Sequence, residues 1–558
     1  MKNKFIILIL FVFLFNLKLI LSAPDNNLVC TGYPISCEYL NLTAALIGEN
    51  NTMGSQIKIL ENNTIYGIDY KSSFNLTTNT AGINITGYNI TLDCNGSLIT
   101  GNQSGYGIYS SNFDNLTIIN CDIEKYYYGI IIKNSNNINI TNNIVQNNIG
   151  TGFGSIKGTG MLFYGVNNSF LINNTVNNSI WGILFYTGNY NNTISYNTMN
   201  GNLQHGFQTY LDTANFTITY NNVSYNDDAG LTFFGQQHLV AHNFVSNNIE
   251  GGIISYGIYT ELDNANTKII NNTVCNTRTG PSGALSPEGY GIKVMDNNYE
   301  IINNTLINNS QSGIYLINGN NTVVIGNLII NNSNITNKYD GGIATAGNFI
   351  RGPIFNLLIK DNIIINNIYG IYINKTCIYC NISGNNISYS LNGILLNTSK
   401  YSNIINNTFN ETGNISSYQD YFPIQIINSS YLNITGNTFY NTNLTIKAIG
   451  IDSLSYNLTI QDNYFFHQKA NIEIYSPYQL QFVKGDCNGD TYIGPPDYAA
   501  FTQVMRGRST SCYYPNRTRR YDYLNIFDFN NDEYIGPPDY IKLIETMKGI
   551  SPLEYYTI

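Results

Sequence analysis

The sequence predicts a mostly β protein, a solenoid of short parallel strand coils, with a small α-helical module at its C-terminal end. Three observations predict it: a Gly followed by an apolar residue that recurs through most of the chain, an Asn-centred turn signal in most coils, and a duplicated acidic segment after Gln479.

The Gly mark falls at Gly107, Gly129, Gly160, Gly182, Gly206, Gly230, Gly257, Gly291, Gly313, Gly342, Gly370 and Gly393, with smallest steps of 22 to 24 residues. That step suits one coil of a β-solenoid. The next residue (Ile108, Ile130, Met161, Ile183, Phe207, Leu231, Ile258, Ile292, Ile314, Ile343, Ile371 or Ile394) is always apolar, and period-2 alternation points it inward. These residues are mostly β-branched, and Gly and Asn interrupt them every few positions, so helices are not supported.

The turn signal is an Asn followed within two residues by an apolar one, at Asn143, Asn197, Asn222, Asn243, Asn327, Asn362, Asn386, Asn407 and Asn437. Asn tolerates the left-handed conformation of a sharp corner, and amides stacked coil on coil can bond one another, so the same Asn is expected to form corner and ladder together.

This repeat, with its opening ITLDCNGSLITG from Ile90 to Gly101, resembles the pectin-lyase-like superfamily over roughly two thirds of the chain. The resemblance implies a right-handed, single-stranded parallel β-helix. It covers pectate lyases, polygalacturonases, uronan epimerases, phage tailspikes and non-catalytic surface proteins, so it does not specify a function.

Four segments are expected. Residues 1–22 read as a signal peptide, with Lys2 and Lys4, an apolar run from Phe5 to Phe15, and Ser22 and Ala23 before Pro24. Residues 23–80 would cap the first coil, 81–480 form the β-helix, and 481–558 the C-terminal module. Export to solution or to an extracellular surface follows, with no membrane span in the mature chain. Only 11% of residues are charged, against about 25% in globular proteins. The formal net charge of −9 argues against a nucleic-acid partner. Asn-x-Ser/Thr sequons, for example at Asn41, Asn84, Asn139, Asn271 and Asn433, mark possible glycosylation of an exported chain. Among the nine cysteines, Cys30 with Cys37, Cys94 with Cys121 and Cys487 with Cys512 are expected as local bridges. Cys377 and Cys380 form a CxxC suited to a disulfide or two free thiols, leaving Cys275 over.

Two sets of side chains could form a site. The residue two after the Gly is Tyr109, Tyr259, Tyr315 or Tyr372, an outward stripe, while the residue before it is Tyr106, Tyr128, Trp181, His205, Tyr256, Tyr290 or Tyr369. An unbroken strand turns the second group inward, and a bend at the Gly turns it out. Tyr128, Trp181, Tyr256, Tyr259, Tyr290, Tyr315, Tyr369 and Tyr372 are the expected carbohydrate-stacking residues, because aromatic rings offer rigid apolar area with a polar tip. The densest ionisable cluster is His205, Asp212, Asp227 and Asp228, with His238 and Lys293 further on. His205, Asp227 and Asp228 are the catalytic candidates, since a carboxylate and an imidazole one coil apart could move a proton. QHG at Gln204 precedes NDDAG at Asn226, which reverses the order found in polygalacturonases.

The duplicated segments are DCNGDTYIGPPD, Asp486 to Asp497, and DFNNDEYIGPPD, Asp528 to Asp539, 42 residues apart. They match the oxygen-ligand spacing of EF-hand loops, with Ca2+ expected on Asp486, Asn488, Asp490, Tyr492 (carbonyl) and Asp497, then on Asp528, Asn530, Asp532, Tyr534 and Asp539. Pro-Pro before each second half suits a helix's first turn. The module is similar to a dockerin, which implies a cohesin-like partner, although Thr491 and Glu533 stand where that loop has Gly. Self-assembly is the other role open to it. The function expected is an exported β-helix protein that binds carbohydrate or serves a structural or adhesive role, attached through this calcium-dependent module. A polysaccharide lyase, epimerase or glycoside hydrolase is the alternative.

Overall fold

The computed structural model describes residues 81–474 apart from 102, 151–155, 211, 258–264, 281–287, 334–339, 347–351, 414–420, 442–446, 453 and 467–471, together with 56–59, 65–67, 481–483, 498, 501, 541–545 and 555–557. It divides into two compact units, Met1–Val245 and Ser246–Ile558.

One coil of the first unit shows how the sequence builds the rest. A long strand, Tyr128–Asn136, is followed by two short ones, Asn139–Thr141 and Ile144–Gln146. Asn137, Asn142 and Asn147 turn the corners at φ 56°, 59° and 55°. This left-handed region costs most residues energy but suits Asn. After each corner comes a buried residue, and each short strand then contributes one inward side chain, Ile140 and Val145. Each strand pairs in parallel with its counterpart one coil on, as Ile140 does with Leu171 and Val145 with Val176. The core is therefore columns of like residues, such as Ile140, Leu171, Ile194, Ile218 and Val240, all buried.

In the second unit the same coil runs from Glu250–Gly257 to Ile472–Ile474, with columns such as Ile292, Ile314, Ile343, Ile371 and Ile394. The residue after the marked Gly is buried in every described coil of both units, as the alternation predicts.

Two expectations need correction, and a third point that the sequence leaves open is decided. First, corner and ladder are neighbouring residues rather than one. Asn142 sits exposed at positive φ and Asn143, next to it, is buried and donates its amide to Asn174 at 2.9 Å. The ladder continues through Asn197, Asn221 and Asn243 in the first unit, and through Asn272, Asn304, Asn327, Asn362, Asn385, Asn407, Asn437 and Asn463 in the second. Asn222 and Asn386 begin strands and are exposed, so Asn221 and Asn385 hold the buried places assigned to them. A buried amide needs partners for both its halves, which the coils above and below supply. The corner Asn residues bond one another outside, as Asn173 does to Asn142 at 2.7 Å.

Second, Gly257 is not the coil mark of its strand. The register pairs Gly251 with Tyr290 and Ile253 with Ile292, which makes Gly252 the equivalent of Gly291. A Cβ on Gly252 would meet Val274 Cγ1 at 2.1 Å and the Gly291 carbonyl at 2.7 Å. The same crowding at Gly129 and Gly182 explains the mark: the backbone bends there, and Gly and the next residue both face the core.

Third, the bend turns the residue before the Gly outward. Tyr106 stacks on Tyr109 across Gly107, centroids 5.3 Å apart, and Tyr369 on Tyr372 across Gly370 at 4.7 Å.

Some corners hold tyrosine at positive φ. Tyr196 and Tyr220 stack with His242 in the first unit, and Tyr379, Tyr401 and Tyr431 form a column in the second. Stacking worth about 0.5–1.5 kcal/mol per pair offsets the strain of that conformation.

Cys94 bonds Cys121 on the next coil and Cys377 bonds Cys380, while Cys275 is a free thiol. Cys30, Cys37, Cys487 and Cys512 lie outside the described residues. At the C-terminal end, Phe501 and Leu543 are helical and buried, separated by the same 42 residues as the acidic loops, and Gln481–Val483 pairs antiparallel with Tyr555–Thr557. Among the described residues no helix is long and apolar enough to cross a membrane.

Candidate functional site

The outer face of the long-strand sheet carries the candidate side chains in both units. In Met1–Val245, Ile131, Leu162 and Leu184 form an apolar strip against which Tyr106, Tyr109, Tyr128, Tyr164, Trp181 and Tyr186 pack. Tyr186 lies flat on Tyr210 at 5.1 Å, and the Lys133 ammonium stands 5.2 Å from the Tyr164 ring centre. Burial, with Tyr164 and Tyr106 nearby, pushes the Tyr128 phenol up to about 12, so it stays a neutral hydroxyl. The expected residues Tyr128 and Trp181 are thus brought together on one face. Tyr164, Tyr186 and Lys133 were missed because they follow the Gly by four residues rather than two.

Beside Trp181 sits a polar group. The His205 ring is centred 5.1 Å from Trp181, its Nε2 is 3.5 Å from Asp228 Oδ2, and its Nδ1 is 3.2 Å from the Thr232 hydroxyl. Burial lowers the His205 pKa against the opposing pull of Asp228, so the ring is neutral at pH 7. Gln208, buried on the strand Phe207–Thr209 that follows His205, has a side-chain oxygen without a hydrogen-bond partner among the described residues. Of the catalytic candidates, His205 and Asp228 meet, whereas Asp227 is exposed and bonds Asn202 through its backbone N–H. Asp212 is an exposed corner at φ 57°.

His238 belongs to the core. The Phe216 backbone N–H donates to its Nδ1 at 3.3 Å and Nε2 lies 3.0 Å from the Phe234 carbonyl, which requires the neutral ring with its proton on Nε2. Burial lowers its pKa to about 4. The unfolded chain, with an ordinary value near 6.5, binds the proton first on acidification. Stability present above pH 6.5 is therefore lost as pH falls towards 4, by roughly 3 kcal/mol. Denaturant melts from pH 7 to 4 should show this loss in the wild type and a clearly smaller one in His238→Asn.

In Ser246–Ile558 the face is more polar. Lys293, two residues after Gly291, is buried and donates to Glu288 Oε1 at 2.6 Å. Its ammonium lies 5.7 Å from the Tyr290 ring centre and 6.0 Å from Tyr256. Tyr290 stacks on Tyr315 at 4.4 Å, and buried Asp340 accepts a bond from Ser312 at 3.2 Å. Tyr369 and Tyr372 stack beside Ala344 and Leu395. Tyr256, Tyr290, Tyr315, Tyr369 and Tyr372 are therefore all on this face, and Tyr259 lies outside the described residues. Glu288 and Asp340 gave no sequence signal, because neither holds a fixed offset from a Gly.

Known proteins can now be set beside this geometry. Residues 106–274 match the family described as a right handed beta helix region. The fold is a right-handed parallel β-helix. Residues 349–498 match the family described as periplasmic copper-binding protein (NosD). No curated protein matches by sequence. Among solved structures, the β-helix is similar to a hyperthermoactive exopolygalacturonase from Thermotoga maritima, at 11% identity and TM-score 0.36 over 60% of this chain and 85% of that one. It is also similar to an alginate lyase from a Paenibacillus species, at 14% identity and TM-score 0.30 over 52% and 92% of the two chains. The catalytic domain of a GH87 alpha-1,3-glucanase in complex with nigerose matches at 13% identity and TM-score 0.36, over 82% of this chain and 70% of that one.

The copper in the NosD description was tested against the residues present. The matched segment has no Met, one His (His467) and three Cys: Cys377 and Cys380 are joined as a disulfide, and His467 and Cys487 lie outside the described residues. Soft thiolate, thioether or imidazole ligands are what copper needs. Among the described residues no group of three His, Cys, Asp or Glu comes together, so the described β-helix residues do not fit a copper site. The residues expected to hold calcium, Asp486, Asn488, Asp490, Tyr492, Asp497, Asp528, Asn530, Asp532, Tyr534 and Asp539, lie outside the described residues.

Proposed function

We propose that the chain is an exported β-helix protein that binds extended polysaccharide along the outer face of its long-strand sheet. One observation carries this reading: Tyr106, Tyr109, Tyr128, Tyr164, Trp181 and Tyr186 gather on an apolar strip facing outward. On a sheet face an outward aromatic run of this size stabilises the ladder through ring stacking and also offers rigid apolar area that suits the apolar faces of sugars. Attachment to a surface is assigned to residues 481–558 through calcium and a cohesin-like partner or a second copy. That part rests on the duplicated acidic loops and on Phe501 and Leu543, buried at the same spacing.

A second reading, a polysaccharide-active enzyme, is favoured by the His205–Asp228 contact, because a neutral imidazole held by a carboxylate can accept a proton.

Trp181 is the sole tryptophan, so its fluorescence reports directly on the face. Titration with soluble polysaccharides, neutral and uronic, is expected to shift its emission. Trp181→Ala, followed by co-sedimentation with insoluble polysaccharide, is expected to weaken binding at least about tenfold, since base or sugar stacking on one ring is worth on the order of 1–3 kcal/mol. Unchanged emission and unchanged co-sedimentation reject the reading. Released oligosaccharide that disappears in His205→Ala and Asp228→Ala moves the protein to the enzyme class.

A further inference from the structure

We propose that Glu288, Tyr290, Lys293, Tyr315 and Asp340 form a subsite in Ser246–Ile558 for a neutral, hydroxyl-rich sugar, and that this subsite discriminates against uronates. The inference rests on the glycan-binding reading and names the substrate class within it.

Lys293 occupies an outward position of the long-strand sheet that other coils of this unit fill with uncharged side chains such as Ile254, Tyr315, Ala344 and Leu395. Placing an ammonium and a carboxylate there, both largely shielded from water, is a poor way to gain stability, because apolar replacements of buried ion pairs are often neutral or stabilising. A role in recognition accounts for the choice.

The charge balance then selects the ligand. Both Glu288 oxygens lie within hydrogen-bond reach of the Lys293 ammonium, so its positive charge is already compensated. Asp340 adds a second carboxyl group beside Tyr290 and Tyr315. With Asp340 ionised the five residues carry one net negative charge, and with it protonated they carry none. They are never positive. A uronate carboxylate entering here would give up water beside two carboxyl groups, and none of the five residues offers it an uncompensated positive charge, which is discrimination by repulsion.

A hydroxyl-rich sugar meets the opposite situation. Burial first, with the neighbouring phenol and carboxylates adding to it, raises the Tyr290 phenol well above its ordinary range, and burial with Asp340 raises the Tyr315 phenol, so both remain hydroxyls able to donate and accept. The Lys293 ammonium and the Glu288 carboxylate offer a charged donor and a charged acceptor 2.6 Å apart, a spacing that adjacent sugar hydroxyls can bridge. The rings of Tyr256 and Tyr290 flank this pair.

The test uses the full secreted chain at about 150 mM salt. Dextran, soluble starch and xylan serve as neutral probes and polygalacturonate as the acidic one, with binding read by calorimetry and, in parallel, by Trp181 emission from the other unit. At least one neutral probe is expected to bind, with polygalacturonate at least tenfold weaker. The double variant Glu288→Gln/Lys293→Met, which removes both charges at similar volume, is expected to weaken neutral binding about tenfold. Glu288→Gln alone, which leaves the Lys293 charge uncompensated, is expected to raise polygalacturonate binding about tenfold. Circular dichroism and thermal melts confirm that each variant is folded. Polygalacturonate binding as tightly as every neutral probe, or both variants binding as the wild type does, overturns the subsite. If Trp181 still responds in that case, the general glycan reading survives; if no probe binds at all, both fall together.

Discussion

Asn362→Ala is expected to lower the stability of the Ser246–Ile558 unit by about 3–5 kcal/mol. Asn362 is fully buried, and its amide serves two coils at once. Its oxygen accepts from the backbone and side-chain N–H groups of Asn327, each at 2.9 Å, while its nitrogen donates to the Val324 carbonyl at 2.9 Å and to Asn385 at 2.9 Å. Alanine leaves the Asn327 backbone N–H and the Val324 carbonyl buried without these partners, and each such group costs about 1–3 kcal/mol. The control is Asn366→Gly at the neighbouring corner, where φ is 53° and the amide bonds Asn331 in solvent. Glycine accepts that backbone freely, so the loss there should stay under about 1 kcal/mol. Urea unfolding followed by circular dichroism decides, and similar losses in both variants would mean that the buried ladder is not what holds the coils in register.

Gly182→Ala should cost about 3 kcal/mol, more than an alanine at a glycine of unusual backbone. At Gly182 the new Cβ would lie 2.1 Å from the carbonyl oxygen of Gly206, one coil on, and a backbone carbonyl in a strand ladder cannot swing aside as a side chain would. Gly188 has φ +66°, yet its nearest neighbour is the Gly165 Cα at 3.8 Å, so Gly188→Ala carries only the left-handed cost of roughly 1–2 kcal/mol. The ranking separates crowding between coils from backbone preference. Because Trp181 adjoins Gly182, a displaced coil would also change its emission, and an unchanged melt in Gly182→Ala would refute the close approach.

The coil was legible because its demands are local and repeat. A Gly pressed against the next coil and an apolar residue after it recur at a constant step, which a single sequence displays plainly. The ladder was misplaced by one residue at Asn222 and Asn386 because in runs such as Asn221-Asn222 and Asn385-Asn386 composition does not say which amide is buried, and only the count from the left-handed corner decides. Gly257 was taken for Gly252 for a related reason: three glycines fall in one strand, and the collision with Val274 that singles out one of them is a contact between coils. A set of the sequons has the same origin. A left-handed Asn, a buried Asn and a strand-opening Thr make Asn-Asn-Thr at Asn173, Asn191, Asn271, Asn303 and Asn406, each at positive φ, so the fold itself writes the motif. The meeting of His205 with Asp228 could be read from one coil step, whereas Lys293 with Glu288 could not, since an insertion separates Glu288 from the repeat.

The parallel stacking of coils also has a mechanical side. Among the described residues a coil is joined to the next by one long and two short strand ladders and by rows of amides, and few bonds reach further, as those of Gln103 to Asn147 and Lys375 to Ile317 do. Tension applied along the chain loads chiefly the outermost of these seams, so coils come off singly or in small groups. The coil between Asn174 and Asn197, 23 residues long, pays out roughly 80 Å of slack when it detaches. A protein fixed at one end and gripping a polymer along its side would yield in small steps, dissipating a sudden pull while the rest of its grip holds.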